Sequence, residues 1–164
     1  MKVKSLLLLL FAMFINGAIS SSLSQQTDSK LKRLTANADL IVTGKVTTNK
    51  SNWNLNKTRI FTEATLNVDE YLKGQNSGNS VVVTYPGGEV NGVGELYTHM
   101  PKFADNEDVL VFLKKDENGY KVFDGEEGKI RIIKDDKTGE KMTSSNVRID
   151  YLKAQIKNNL NNKN

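Results

Sequence analysis

The chain contains no cysteine, two prolines and a single histidine among 164 residues. Without cysteine there is no disulfide, no thiolate zinc site, no cysteine nucleophile and no lipid attachment at a lipobox. One histidine removes every multi-histidine metal site, so neither a metal nor a cofactor is expected. Aromatic residues make up 7% of the chain, with one tryptophan. This is thin for the stacking platform that single-stranded nucleic acid requires.

Long hydrophobic runs are also scarce. The one unbroken run extends from Leu6 to Ile15, behind Lys2 and Lys4 and ahead of the small-residue exit Ala18-Ile19-Ser20. It is shorter than the ~20 apolar residues of a membrane-spanning helix. The pattern is that of a secretory signal peptide over residues 1–20. Its removal from 164 residues leaves a mature chain of 144, long enough to bury a core without disulfides. The expected location is periplasmic or extracellular, with no stable membrane anchor.

Charge is close to balanced. The formal net charge is +4, and Lys2 and Lys4 account for two of those units. Asp150, Lys153, Lys157 and Lys163 at the C-terminal end supply the other two. The body of the chain is neutral, so the basic groove a nucleic acid needs is not expected.

The patterning is mostly that of strands. Residues 21–38 are polar, with Leu31, Leu34 and Ala38 at helical spacing behind Asp28 or Ser29 as caps. Leu40, Val42, Gly44 and Val46 alternate along the first strand. Ile60, Ala64, Leu66 and Val68 form one face of the second, with Phe61, Glu63, Thr65, Asn67 and Asp69 opposite. Gly74 to Asn79 is a turn cluster, and Ser80 to Tyr85 is a β-branched strand. Residues 89–106 are the least regular stretch. Val109 to Leu113 is apolar on both faces, as a central strand is. Asn118-Gly119 marks a hairpin, Gly128 to Ile133 another strand, and residues 135–139 a turn. Ile149, Leu152, Ile156 and Leu160 form the stripe of an amphipathic helix, capped by Ser145 or Asn146.

The resulting expectation is a mainly β fold: a small OB-like antiparallel barrel of five to six strands over residues 39–143. A short N-terminal helix lies within 21–38, a C-terminal helix spans 144–160, and a frayed tail covers 161–164.

The order of several phrases carries a resemblance. Ala38 to Val46 resembles the first strand of tissue-inhibitor-of-metalloproteinase-like, OB-type domains and of a group of bacterial exported small β-barrel proteins. In that group an aromatic loop follows, here Trp53. Then come Val68-Asp69-Glu70-Tyr71-Leu72-Lys73-Gly74, Pro86-Gly87-Gly88-Glu89, Pro101-Lys102-Phe103, Glu107 to Leu113, and Gly128 to Arg131. The resemblance implies an OB-like barrel and, as partner, an exported protein such as a metalloprotease. The animal inhibitors chelate zinc through an N-terminal cysteine, so that mechanism does not transfer to this cysteine-free chain.

Candidate sites fall in two segments, 49–57 and 87–104. Trp53, Glu89, Tyr97, His99 and Met100 are the candidate contact residues. Pro86, Gly87 and Gly88 read as a structural reversal, because no Gly-Lys-Ser/Thr ending makes them a phosphate loop. His99 with Glu95 as orienting carboxylate would make a general base, but no nucleophile elbow accompanies it. The acidic runs at 105–108 and 124–128 lack calcium-loop spacing and read as turns. The leading expectation is therefore an exported, non-enzymatic protein-binding or inhibitor-like module. A small hydrolase centred on His99 and a cell-envelope structural protein are the alternatives.

Overall fold

A computed structural model describes residues 28–117 and 119–162. The expected export signal and Asn118 of the hairpin turn lie outside the described residues. Two compact units divide the chain at residues 33 and 34. Helix α1, residues 28–37, contributes its first six residues to the smaller unit. There Asp28 and Lys32 pair one turn apart at 2.9 Å.

The larger unit is mainly β. Its strands are β1 (Leu40–Trp53), β2 (Ile60–Lys73), β3 (Ser80–Pro86), β4 (Gly88–Val90), β5 (Val93–Glu95), β6 (Asp108–Asp116), β7 (Gly119–Val122), β8 (Lys129–Lys134) and β9 (Lys141–Thr143). Helix α2 (Ile149–Asn161) follows them. Five strands close a ring in the order β1-β2-β3-β7-β6, with β6 returning to β1. All neighbours are antiparallel except β3 and β7, which meet in parallel at Val83 and Tyr120. β6 makes closure possible by pairing with three strands. One edge faces β1; the other is shared, with Asp108–Val111 against β8 and Leu113–Asp116 against β7.

Strand β1 must bend to reach both β2 and β6. The β1–β2 register shifts at three places, between Ile41 and Val42, Thr43 and Gly44, and Val46 and Thr48. Such irregularities increase twist and turn a strand. Gly44 sits within this stretch, and a Cβ there would collide with the Asn67 carbonyl. Only glycine allows that backbone approach.

Alternation then builds the core. Leu40, Val42 and Val46 of β1, Ala64 and Leu66 of β2, Val81 and Val83 of β3, and Val109, Val111 and Leu113 of β6 fill the ring interior. The opposite faces of β1 and β6 carry Ile41, Thr43, Leu110 and Phe112, which are buried too. This explains why Val109 to Leu113 shows no alternation of polarity: a strand covered on both sides has no polar face. Helix α2 lies against β2 and β9 and buries Ile149, Leu152 and Ile156.

Two features of the helix ends depend on residues outside the helices. The expected Ser145 or Asn146 cap of α2 is not used; Arg148 occupies the cap position without a side-chain bond. Residues 143–147 are instead spent on a turn. Thr143 Oγ1 accepts the Ser145 and Val147 amides, and Asn146 takes positive φ. At the end of α1, Lys73 donates to the carbonyls of Thr35 and Ala36 at 2.8 and 3.2 Å. A cation there suits the negative end of the helix dipole.

Glu70 of β2 ties α2 to the sheet. Its carboxylate meets Lys153 at 2.8 Å and Lys157 at 3.0 Å. The Lys153 hydrogen bond, and less strongly that of Lys157, hold the Glu70 carboxyl below its ordinary 4.5 against the opposing cost of partial burial. A depressed carboxylate contributes stability above its unfolded value and loses it as pH falls through the folded value. Glu70→Gln should therefore lower the melting midpoint near neutral pH, with the gap to wild type closing as the pH falls below the ordinary carboxylate range. Melting curves of both proteins across that range test the sign, and a gap that widens on acidification contradicts it.

Candidate functional site

Beside the Pro86-Gly87-Gly88 reversal the structure opens a cleft of about 490 Å³. Three pieces of chain build it: the ends of β1, β2 and β3, the β4–β5 hairpin, and the loop from Leu96 to Asn106.

The floor comes from paired positions on three adjacent strands. Ser51 lies opposite Thr62, and Thr62 opposite Tyr85, so all three project to the same side. The Ser51 and Thr62 hydroxyls are 2.8 Å apart, and Thr62 Oγ1 donates to the Gly87 carbonyl at 2.6 Å. Gly87 N–H in turn donates to Ile60 O at 2.8 Å. Glycines at 87 and 88 carry φ of 97 and 130, the region where side chains are strained. A Cβ at Gly88 would run into Ser51 Oγ and Thr62 Oγ1.

One wall is the β4–β5 hairpin. Glu89 pairs with Gly94 and Val90 with Val93, leaving Asn91 and Gly92 as the two turn residues, both at positive φ. That is the Asn-Gly hairpin geometry. The dipeptide was the available signal in a segment that alternation left irregular. At the hairpin base, Glu95 Oε2 accepts the Ile60 amide at 3.2 Å and the Tyr97 hydroxyl at 3.0 Å. Arg59 donates to the same Tyr97 oxygen and lies 5.9 Å from its ring centroid. That hydrogen bond holds the Arg59 guanidinium above its ordinary value.

The other wall is pinned from beneath. Asn49 Nδ2 donates to Phe103 O at 2.6 Å, and Tyr85 OH donates to Asn49 Oδ1 at 3.0 Å. The Tyr85 and Phe103 rings pack with centroids 5.6 Å apart. Lys129 Nζ lies 4.9 Å from the Phe103 centroid, bonds both oxygens of Glu107 at 2.9 and 2.7 Å, and also bonds the Lys102 carbonyl. The ion pair is largely buried, with side-chain exposures of 12% for Lys129 and 7% for Glu107.

Among the sequence candidates, Glu89, Tyr97 and Met100 line this cleft together with Pro86, Gly87 and Gly88. His99 does not line it. Its imidazole is exposed, its φ is 62, and its carbonyl accepts the Glu126 amide at 3.0 Å. Glu95, the carboxylate considered as its orienting partner, is engaged by Ile60 and Tyr97 instead. Trp53 also lies elsewhere. The stretch 49–53 belongs to β1 rather than to a loop, and Trp53 lines a separate groove. Within the 49–57 segment the sequence singled out Trp53 rather than Asn49 and Ser51, and it gave no sign of Thr62, since each is an ordinary strand residue until the ring brings it to the cleft; Lys129, which supports the wall from β8, was missed for the same reason.

The cleft thus offers the Ser51 and Thr62 hydroxyls, the rings and hydroxyls of Tyr85 and Tyr97, the charged Glu89, Glu95 and Lys102, and a flexible methionine. Among the described residues no group of three His, Asp or Glu side chains could hold a metal ion. No helix among them is long and apolar enough to cross a membrane. No protein-family model matches the chain, and no curated protein matches it in sequence.

Proposed function

We propose that the protein is an exported, non-enzymatic module with an OB-like barrel that binds a protein partner through this cleft. One observation carries the reading. Leu96 and Met100 stand 75% and 36% exposed on the cleft rim, on a loop held in place by the Asn49 and Lys129 contacts. Apolar side chains presented on a preformed concave support suit a docking surface, where a few anchors carry most of the energy. Methionine adapts to irregular partners.

The ring order supports the OB-like part. β6, β1, β2 and β3 lie side by side as fourth, first, second and third ring strands, which is Greek-key order. A fifth strand, β7, completes the circuit, as in the five-stranded Greek-key barrel of that fold. The resemblance noted in the sequence makes an exported metalloprotease the favoured class of partner.

The test is retention of secreted host proteins on the immobilised protein, compared with Leu96→Asp/Met100→Asp and with His99→Ala. The expected result is a retained partner lost at least tenfold with the double change, about 1.4 kcal/mol or more, and kept with His99→Ala. Both variants should melt as wild type does. Equal retention by the double variant, or none by wild type, removes the proposal. A hydrolytic activity abolished by His99→Ala would replace it with the enzymatic reading.

A further inference from the structure

The same three strands carry a second depression on their other face. Asn52 lies opposite Phe61, and Glu63 opposite Thr84, so these positions project away from the Ser51–Thr62–Tyr85 side. They line a groove of about 530 Å³, which Trp53 and Leu55 reach at the β1–β2 turn and Asp116 and Glu117 at the β6–β7 turn.

We propose that this groove receives a lysine or arginine side chain of a partner polypeptide. Its lining combines aromatic and aliphatic surface with three carboxylates and contains no Lys or Arg. Phe61 is 39% exposed and Leu55 entirely so, so the groove presents apolar surface beside its carboxylates. An alkyl stem ending in a cation satisfies both kinds of surface at once: the stem packs on the ring and the head meets the carboxylate.

Charge decides the sign of the partner. Glu63 and Glu117 have no ion pair among the described residues, although Lys50 is the cross-strand neighbour of Glu63. Asp116 meets Lys121 at 3.3 Å in an exposed pair, which a ligand cation displaces at little cost. Thr84 adds a buried hydroxyl oxygen with no hydrogen-bond partner, beside Glu63 in the register. Phosphates would be repelled by the same carboxylates, which sets nucleic acid aside. The apolar end of the groove at Leu55 suits a polypeptide segment with an apolar residue beside the cation. The groove stands independently of the cleft on the opposite face.

Trp53 is the sole tryptophan, so its emission reports on this groove. Titrating the full chain with a capped hexapeptide of alternating lysine and leucine should give a saturable emission change that weakens with added salt. Glu63→Gln/Glu117→Gln should weaken it about fivefold or more. Asp69→Asn/Asp136→Asn, an equal charge change at exposed positions outside the groove, should leave it unaltered. A glutamate–leucine hexapeptide and an oligothymidylate of matched charge serve as the other arms. The proposal is overturned if the lysine peptide produces no change, if either of the other two binds as well, or if the two double variants weaken binding equally.

Discussion

Replacing Lys129 by methionine should destabilise the protein by about 3 kcal/mol. The substitution keeps most of the apolar stem but leaves the Glu107 carboxylate buried without its main partner. Breaking a buried pair in this way costs roughly 3–5 kcal/mol, because an uncompensated charge remains. The lower end applies here, since Glu107 still accepts the Ala104 amide at 3.1 Å and lies 3.7 Å from the exposed Arg131. The bond to the Lys102 carbonyl and the contact over Phe103 go as well, so the cleft wall from Pro101 to Phe103 loosens with the fold. Glu107→Gln added to Lys129→Met should recover much of the loss, because a neutral amide tolerates burial better than an unpaired carboxylate. Denaturant unfolding of the three proteins checks both steps. A single variant as stable as wild type would mean that the pair is effectively solvated.

Gly88→Val should cost a similar amount, about 3 kcal/mol, by a different route. The backbone there has φ of 130, which a β-branched residue adopts only under strain of ~1–3 kcal/mol. Its Cβ would also displace Ser51 Oγ and Thr62 Oγ1, and forcing atoms into a filled space costs ~1–3 kcal/mol. For a domain of this size the melting midpoint should fall by roughly 10 °C. Glu89→Ala at the exposed neighbouring position should move stability by less than about 0.5 kcal/mol. An unchanged midpoint for the valine variant would show that the reversal is not constrained by the floor beneath it.

These two sites differ in how they announce themselves. Pro86-Gly87-Gly88 is legible as a reversal because proline and paired glycines restrict local backbone choices whatever surrounds them. Lys129 and Glu107 are not legible as a pair. They are 22 positions apart, and each sits in a segment where a surface charge would look the same. The two β-turns show the same contrast. Asn118-Gly119 follows the long apolar run Val109–Leu113, which marks a strand before it, whereas Asn91-Gly92 joins strands of three residues each, too short for a period to register. The α2 cap lies at Arg148 for a related reason: Ser145 and Asn146 have capping chemistry, but the turn after β9 uses them first.

Trp53 shows where segment-based reading of a site fails. A tryptophan among asparagines and lysines suggests a loop contact, yet β1 continues through it, because β2 pairs with it as far as Ile60. The candidates of the 87–104 segment divided as well. Glu89, Tyr97 and Met100 came to one cleft, while His99 turned outward in a left-handed conformation that serves its backbone.

The amino-acid chain dictates the local content of this protein without reference to the fold. Alternation over Ile60–Val68 and Val81–Tyr85, the two-faced run Val109–Leu113 and the 149–152–156 stripe follow from side-chain periodicity, which each segment carries alone. It also determined the missing chemistry, since absent cysteines and a lone histidine need no fold to be counted. The tertiary structure alone decided closure and convergence. β6 returns to β1, Ser51 and Thr62 come under Gly88, and Lys129 comes under Phe103. These outcomes depend on the balance of pairing and burial among segments far apart along the chain, and no window of adjacent residues contains that information.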